Sequence, residues 1–404
     1  MQSSLRVLHV ISSMSRLRGG PSVSLHNMLK ALARRGVTAE VAATDDDGRN
    51  ARLHVPLDRF VEDEGQRVRY FPRQTAKYEF SAPMLRWLRV HIREYDVVHT
   101  HGLFGFAPLA AAWCARGAGV PYIMRPAGVL DTWGLKNKSR FVKALSLRLV
   151  EGPLLSSAAA VHFTTPLEQA RAADLALPIR PVVLPTGMDL DAPAQEALPP
   201  PAAPPVLDGK RVILYLARIH PVKRVDVLLR AYAALNAGQS TALVIAGDGD
   251  AALVESLKRL AGELGLGDSV HWVGFAEGAL KRWLLARAAL LVLPSASENF
   301  GMAVVEAMNA GRPVVVTTGC GLADFVTRHG AGIVIDGSVE ALRAALAGLL
   351  GNEDRRLAMG AAGRAAAQRE LSLDAFGARL ESLYRSVLSA RAAGVEAELP
   401  ALKS

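Results

Sequence analysis

The sequence predicts an α/β protein built as two doubly wound, Rossmann-like domains facing a cleft. Short β-branched apolar runs alternate with helix-patterned stretches along the whole chain. The alternation breaks at DAPAQEALPPPAAPP (191–205), a proline- and alanine-rich segment without periodicity, and then restarts. At 404 residues the chain exceeds one ordinary core, and 50% hydrophobic content is enough to build two.

LRVLHVIS (5–12) reads as a first buried strand ending in small and polar residues and a GGP turn. SLHNMLKALARRG (24–36) has helical apolar spacing, with Gly36 placed as a C-cap. TAEVAAT (38–44) is strand-like again, and strand, glycine turn, helix, strand opens a parallel sheet. The unit recurs as YDVVHTHG (95–102), a helix through PLAAAWCARGAG, and PYIMRPAG (121–128), then as AAAVHFTT (158–165) and PVVLPTG (181–187). Beyond the linker come RVILYLAR (211–218), the helix VDVLLRAYAAL (225–235), TALVIAGDG (241–249), SVHWVGF (269–275), ARAALLVLPS (286–295), RPVVVTT (312–318) and GIVI (332–335). The expected division is a first domain over 1–190, a linker over 191–209 and a second domain over 210–375. A helix over 376–393 is expected to pack back on the first domain, ahead of a tail at 394–404.

The two cysteines, Cys114 and Cys320, lie far apart without a CxxC pattern, which excludes a disulfide framework or a cysteine zinc site. No run approaches the roughly 18 to 20 apolar residues of a membrane helix, and the start lacks a signal-peptide core. A cytoplasmic protein is expected. The net charge of +9 calls for an anionic partner, either phosphorylated substrates or an anionic membrane leaflet. Nucleic acid is not expected, because the arginines are scattered through helices without an aromatic-rich basic tract.

Two motifs carry chemistry. In SENFGMAVVEAMNAG (297–311), Asn299, Phe300, Gly301 and Met302 fall between a buried strand and a helix start. Unpaired amides and the helix dipole suit phosphate or sugar hydroxyls there, and Gly301 allows close approach. Glu298 and Glu306 are eight positions apart, so at about 1.5 Å rise per residue they span roughly 10 Å. They could grip one elongated polar ligand, or cap the helix and face solvent. In ARIHPVKRVDVLL (217–229), Arg218 follows a strand and Lys223 precedes a helix, which suits a diphosphate clamp. TDDDG (44–48) has the form of a metal-binding DxD but reads as a solvated turn, so no metal site is expected. Neither the GxGxxG of a dinucleotide site nor the GxSxG of a serine hydrolase is present.

Together with LVIAGDGD (243–250), AGRPVVVT (310–317), VLHVISSMSRLRGGP (7–21) and DVVHTHG (96–102), these motifs resemble retaining glycosyltransferase family 4, of the GT-B fold, over nearly the whole chain. The resemblance implies transfer of a hexose-type sugar from a UDP- or GDP-linked donor to an acceptor hydroxyl, without metal or bound cofactor. Glu298 would bind hydroxyls of the transferred sugar and Glu306 the ribose. Amides at Phe300, Gly301 and Met302 would hold sugar hydroxyls, while Arg218 and Lys223 neutralise the diphosphate. Gly19 and Gly20 would approach that diphosphate, His101 would sit near the donor sugar, and Gly274 and Phe275 would border the base. The acceptor suggested is a lipid-linked oligosaccharide of surface-polysaccharide or glycolipid assembly, reached by peripheral contact with an anionic membrane. Ala217 stands where the family usually has Gly, Thr186 where it has Asn, Ala127 where a PHG turn has His, and Asp324 where it has Glu. A GT-B epimerase acting on the donor alone and a non-catalytic nucleotide-sugar-binding module are the alternatives.

Overall fold

The computed structural model of the chain describes residues 5–15, 19–48, 51–130, 145–190, 200, 207, 209–235 and 240–393. Most of the expected linker and the whole of the 394–404 tail lie outside these residues. The chain divides into two compact units, one formed by residues up to Met188 together with the helix Leu373–Ala393, the other by Asp189–Ser372.

The first unit is an eight-stranded sheet of β1 (Arg6–Ser13), β2 (Thr38–Thr44), β3 (Phe60–Asp63), β4 (Gln66–Phe71), β5 (Val97–His101), β6 (Tyr122–Arg125), β7 (Ala160–Phe163) and β8 (Pro181–Val183). Its order is β3-β4-β2-β1-β5-β6-β7-β8, parallel throughout except for the antiparallel pair β3–β4. That hairpin is absent from the sequence expectation. Its two-residue turn is Glu64–Gly65, both at positive φ, which is primed-turn geometry without the usual Asn-Gly signature. The helix Gly20–Arg34 begins four residues earlier than its apolar spacing suggests. Gly19 sits outside it at φ 82, while Gly20 and Pro21 lie in its first turn. Pro is favoured there because its missing N–H is one of the helix's unpaired donors anyway.

Side chains alternate across this sheet into two cores. Leu8, Val10, Val98 and Met124 face Trp87, Leu109 and Ala111 on one side. Val7, Ile11, Val97 and Ile123 face Leu25, Met28, Phe376 and Leu380 on the other. The Leu373–Ala393 helix therefore completes the first unit's core, although it follows the second unit in sequence. It lies against the Gly20–Arg34 helix so closely that a Cβ at Gly377 would fall 2.6 Å from the Ala31 carbonyl oxygen.

The second unit is a six-stranded parallel sheet of β9 (Arg211–Leu216), β10 (Thr241–Ala246), β11 (Val270–Gly274), β12 (Ala288–Leu293), β13 (Val314–Thr317) and β14 (Gly332–Ile335), ordered β11-β10-β9-β12-β13-β14. The strand order reverses direction at β9, between β10 and β12. Ligands of open parallel sheets bind beyond the carboxyl ends of the strands at such a switch point. The first unit has the same feature at β1, between β2 and β5.

Candidate active site

Beyond β9 the chain runs through Ala217 and Arg218 into a short 3₁₀ turn, Pro221–Lys223. The Tyr215 hydroxyl donates to the Arg218 carbonyl at 3.0 Å, and the His220 ring accepts from the Val222 amide at 3.3 Å. This short path needs the glycines of LVIAGDGD. A Cβ at Gly247 would lie 1.9 Å from the Ala217 carbonyl oxygen, and one at Gly249 would lie 2.3 Å from that of Ile219. Arg218 is exposed, and among the described residues its guanidinium makes no hydrogen bond or ion pair.

Beyond β12, the segment from Ser295 to Phe300 is tied to both neighbours. Ala296 N donates to Val222 O at 2.8 Å, Glu298 N to Gly319 O at 3.0 Å, and Gly321 N to Glu298 O at 2.8 Å. Gly301, at φ 92, then turns the chain into the helix Met302–Asn309. No side chain caps this helix, so Glu298 is not its N-cap. A Cβ at Gly301 would stand 3.2 Å from Val304 Cγ2, 3.4 Å from Cys320 Sγ and 3.5 Å from Glu298 Cγ, and the left-handed backbone there favours glycine whatever the space. The helix start presents amide donors and a positive dipole end, as the sequence suggests. Phe300 is buried and Met302 half-buried.

Both glutamates are ion-paired. The Lys223 ammonium contacts Glu298 Oε2, with side chains only 12% and 20% exposed. Lys281 Nζ, on the helix Gly278–Arg287, lies 2.7 Å from Glu306 Oε1. Neither carboxylate is therefore simply solvated, and Lys223 is as much Glu298's partner as a free phosphate clamp. The negative charge of Glu298, after burial itself, helps hold the Tyr215 hydroxyl protonated. Lys281, Tyr215, Gly319 and Gly247 were not singled out from sequence. The spacing GDGD carried a signal for the glycine, whereas Lys281 sits in an ordinary helix with nothing local to mark it. Gly274 closes β11 at φ 68 and accepts from Gly247 N at 2.7 Å, and Phe275 beside it is 64% exposed.

In the first unit His101 ends β5, buried, with its Nε2 2.9 Å from His9 Nδ1. It belongs to a polar layer on one face of the sheet. His162 Nε2 must donate to the Leu184 carbonyl at 2.9 Å, so its Nδ1 accepts from His99 Nε2 at 3.4 Å. His99 Nδ1 then accepts from the Tyr384 hydroxyl at 2.9 Å. Burial, reinforced by Arg125, depresses His9 and His162 to about 3. Burial and neighbouring imidazoles hold His99 well below the usual range, and burial with His9 and Arg125 does the same for His101. Burial lowers Arg125 itself to about 10. Its Nη2 donates to Ser24 Oγ at 2.7 Å and to Thr186 Oγ1 at 3.3 Å.

His9, His99 and His101 bring ring nitrogens within 4.8 Å of one another, close enough to share a metal ion. Four of their six nitrogens already bond to each other or to Tyr384 and His162. His9 Nε2 and His101 Nδ1 have no hydrogen-bond partner among the described residues, and the adjacent Arg125 guanidinium opposes a cation. The acids of TDDDG are likewise engaged. Asp45 accepts from the Arg73 amide at 2.8 Å, Asp46 pairs with the Arg73 guanidinium at 2.5 Å, and Asp47 accepts from Ser15 Oγ at 2.5 Å. They are a buried structural turn, not the solvated one expected.

An arginine, two lysine–carboxylate pairs and a helix start without a side-chain cap lie beyond the strands of a switch-point sheet, an arrangement chemically suited to a phosphorylated, hydroxyl-bearing ligand. Comparison with known proteins makes the class specific. Residues 201–366 match the glycosyl transferases group 1 family and residues 19–187 a glycosyl transferase 4-like domain. The D-inositol 3-phosphate glycosyltransferase of Segniliparus rotundus is 31% identical over 400 residues, covering 92% of this chain and 85% of that protein. The GDP-mannose-dependent alpha-(1-6)-phosphatidylinositol monomannoside mannosyltransferase of Mycobacterium tuberculosis is 33% identical over 226 residues, 52% of this chain and 56% of that one. The structure of Anabaena HepE in complex with UDP and glucose superposes with a TM-score of 0.73 at 19% identity, over 95% of this chain and 100% of that one. The chain belongs to the group 1 glycosyltransferases, family 4, and its fold is GT-B. Among the described residues no helix is long and apolar enough to cross a membrane.

Proposed function

We propose that the chain transfers a hexose-type sugar from a nucleotide diphosphate donor to an acceptor hydroxyl with retention of configuration. The observation that carries this is the Lys223–Glu298 pair set beside the helix start at Gly301, which no side chain caps. A carboxylate held by an ammonium is fixed in place, which suits acceptance of sugar hydroxyls. The same pairing makes it a poor covalent nucleophile. Attack of the acceptor on the face of the departing phosphate is therefore the reading, in keeping with the family resemblance.

Bond cleavage leaves charge on the nucleoside diphosphate. Arg218, exposed at the end of β9, and Lys223 supply fixed positive charge for it, aided by the amides at Phe300, Gly301 and Met302. These groups do the work a divalent ion would otherwise do, so turnover is expected without metal. Glu306, oriented by Lys281, would accept from the ribose. The lipid-linked acceptor is supported by net charge and by the phosphatidylinositol-type acceptor in the mycobacterial relative's name. Nucleotide release from UDP-, GDP- and ADP-sugars, with and without membrane lipid extract, tests the reading. Release that depends on the extract supports it, whereas conversion of the donor alone to an isomer would show an epimerase instead.

A further inference from the structure

Ten large hydrophobic side chains of the described residues are exposed, and two of them, Val90 and Trp113, share a face crowded with arginines. The helix Ala82–His91 buries Met84, Trp87 and Leu88. Its opposite side, continued by the 3₁₀ turn Ile92–Glu94, carries Arg86, Arg89, Val90 and Arg93 at helical spacing, all exposed. The neighbouring helix Phe106–Ala118 contributes Trp113 and Arg116. The Arg89 guanidinium lies over the Trp113 ring at 5.3 Å from its centroid. Arg89, Arg93, Arg116 and Trp113 border a depression of about 490 Å³. Trp113 is 55% exposed and Val90 69%, although burying either side chain would be favourable. Glu94, the acid next to Arg93 in sequence, is paired with His91 at 2.6 Å.

We infer that this face docks on an anionic bilayer surface. An amphipathic indole surrounded by guanidinium groups is the chemistry of the lipid headgroup region. The ring sits at the level of the headgroups while the arginines pair with phosphates, and the depression accommodates a headgroup between them. The charge is complementary to acidic lipid and to little else that offers both phosphate and an apolar layer. The inference deepens the proposed function and rests on it, since it supplies the surface by which an enzyme of lipid-linked acceptors reaches its substrate.

The test is sedimentation of the full chain with vesicles of phosphatidylcholine alone or with one-third phosphatidylglycerol. Wild type should bind the acidic vesicles at low salt and release at high salt. Three basic residues near a surface contribute enough that R89E/R93E/R116E should bind on the order of 100-fold more weakly. The matched reversal R230E/R259E/R343E, at three exposed arginines of the other unit, should bind as wild type does. Brominated phosphatidylglycerol should quench wild-type tryptophan fluorescence, and Trp113→Phe should lose that quenching, an outcome that does not depend on the triple variant folding. No binding by wild type would overturn the membrane reading itself. Binding by wild type and R89E/R93E/R116E alike, equal losses in both reversals, or undiminished quenching in Trp113→Phe would overturn this surface while leaving the membrane reading intact.

Discussion

Gly319→Ala tests how the donor-side carboxylate is held. A Cβ on Gly319 would lie 2.2 Å from the Ala296 carbonyl oxygen, where contacts under 3.0 Å essentially never occur. Both atoms belong to backbone, so neither can swing aside and one segment must move by about 1 Å. The displaced residues are those that fix Glu298, because Gly319 O accepts from Glu298 N and Gly321 N donates to Glu298 O. A 1 Å misplacement of a positioning group costs about 100-fold in rate, or roughly 2.7 kcal/mol. Overpacking adds about 1–3 kcal/mol of destabilisation. The assay is kcat/KM for nucleotide release at a temperature where the variant is fully folded by circular dichroism. Gly265→Ala is the control. It carries a left-handed glycine with nothing within 4 Å, so it loses stability but keeps its rate. Wild-type kcat/KM in Gly319→Ala would refute the claim that this loop sets the position of Glu298.

Three further outcomes follow from the geometry. Lys223→Met and Glu298→Gln should each lower kcat/KM by at least about 30-fold, and the double variant should lose little more than the worse single, a coupling of about 1–3 kcal/mol; additive losses in the cycle would mean that the pair does not act as a unit. Glu306→Gln should raise the donor KM by about 10- to 100-fold with kcat little changed, as expected for a lost charged hydrogen bond to ribose, and a fall in kcat at constant KM would contradict that role. His9 and His162 sit at about 3 when folded, below their unfolded value near 6.5, so their stabilising effect is complete above pH 6.5 and is lost as pH falls toward 3. From pH 7.5 to 5.5 the first unit should lose about 1.4 kcal/mol per histidine, seen as a falling urea midpoint, and a midpoint indifferent to pH over that range would argue against neutral, buried imidazoles.

The parallel α/β alternation was legible because most strands are short, largely apolar runs between turn residues, and their period survives without knowledge of the fold. The β3–β4 hairpin was not, since QRVRYF interleaves charge and the Glu64–Gly65 turn lacks Asn or Asp. Glu298, Gly301 and Lys223 could be read as a site because local grammar brings them to strand ends, and the sheet order then places β9 beside β12. Their direct pairing could not be read, as it joins residues 75 positions apart. The same holds for Lys281 with Glu306, and for His101, whose hydrogen-bond partner His9 comes from β1. The need for glycine at 319 and 247 likewise appears only when a second backbone is in place.

The most direct measurement is nucleotide release from a UDP-, GDP- and ADP-sugar panel in excess EDTA, by wild type and by Arg218→Ala. Arg218 is exposed at the switch point, so its loss leaves no buried partner behind and reads electrostatic assistance to the leaving diphosphate alone. With acceptor present, the wild type should turn over at least one donor despite the chelator, and Arg218→Ala should fall by at least about 30-fold in kcat/KM, roughly 2 kcal/mol. Abolition of wild-type turnover by EDTA, or wild-type-like release by Arg218→Ala, would contradict a metal-independent glycosyltransferase site at this sheet.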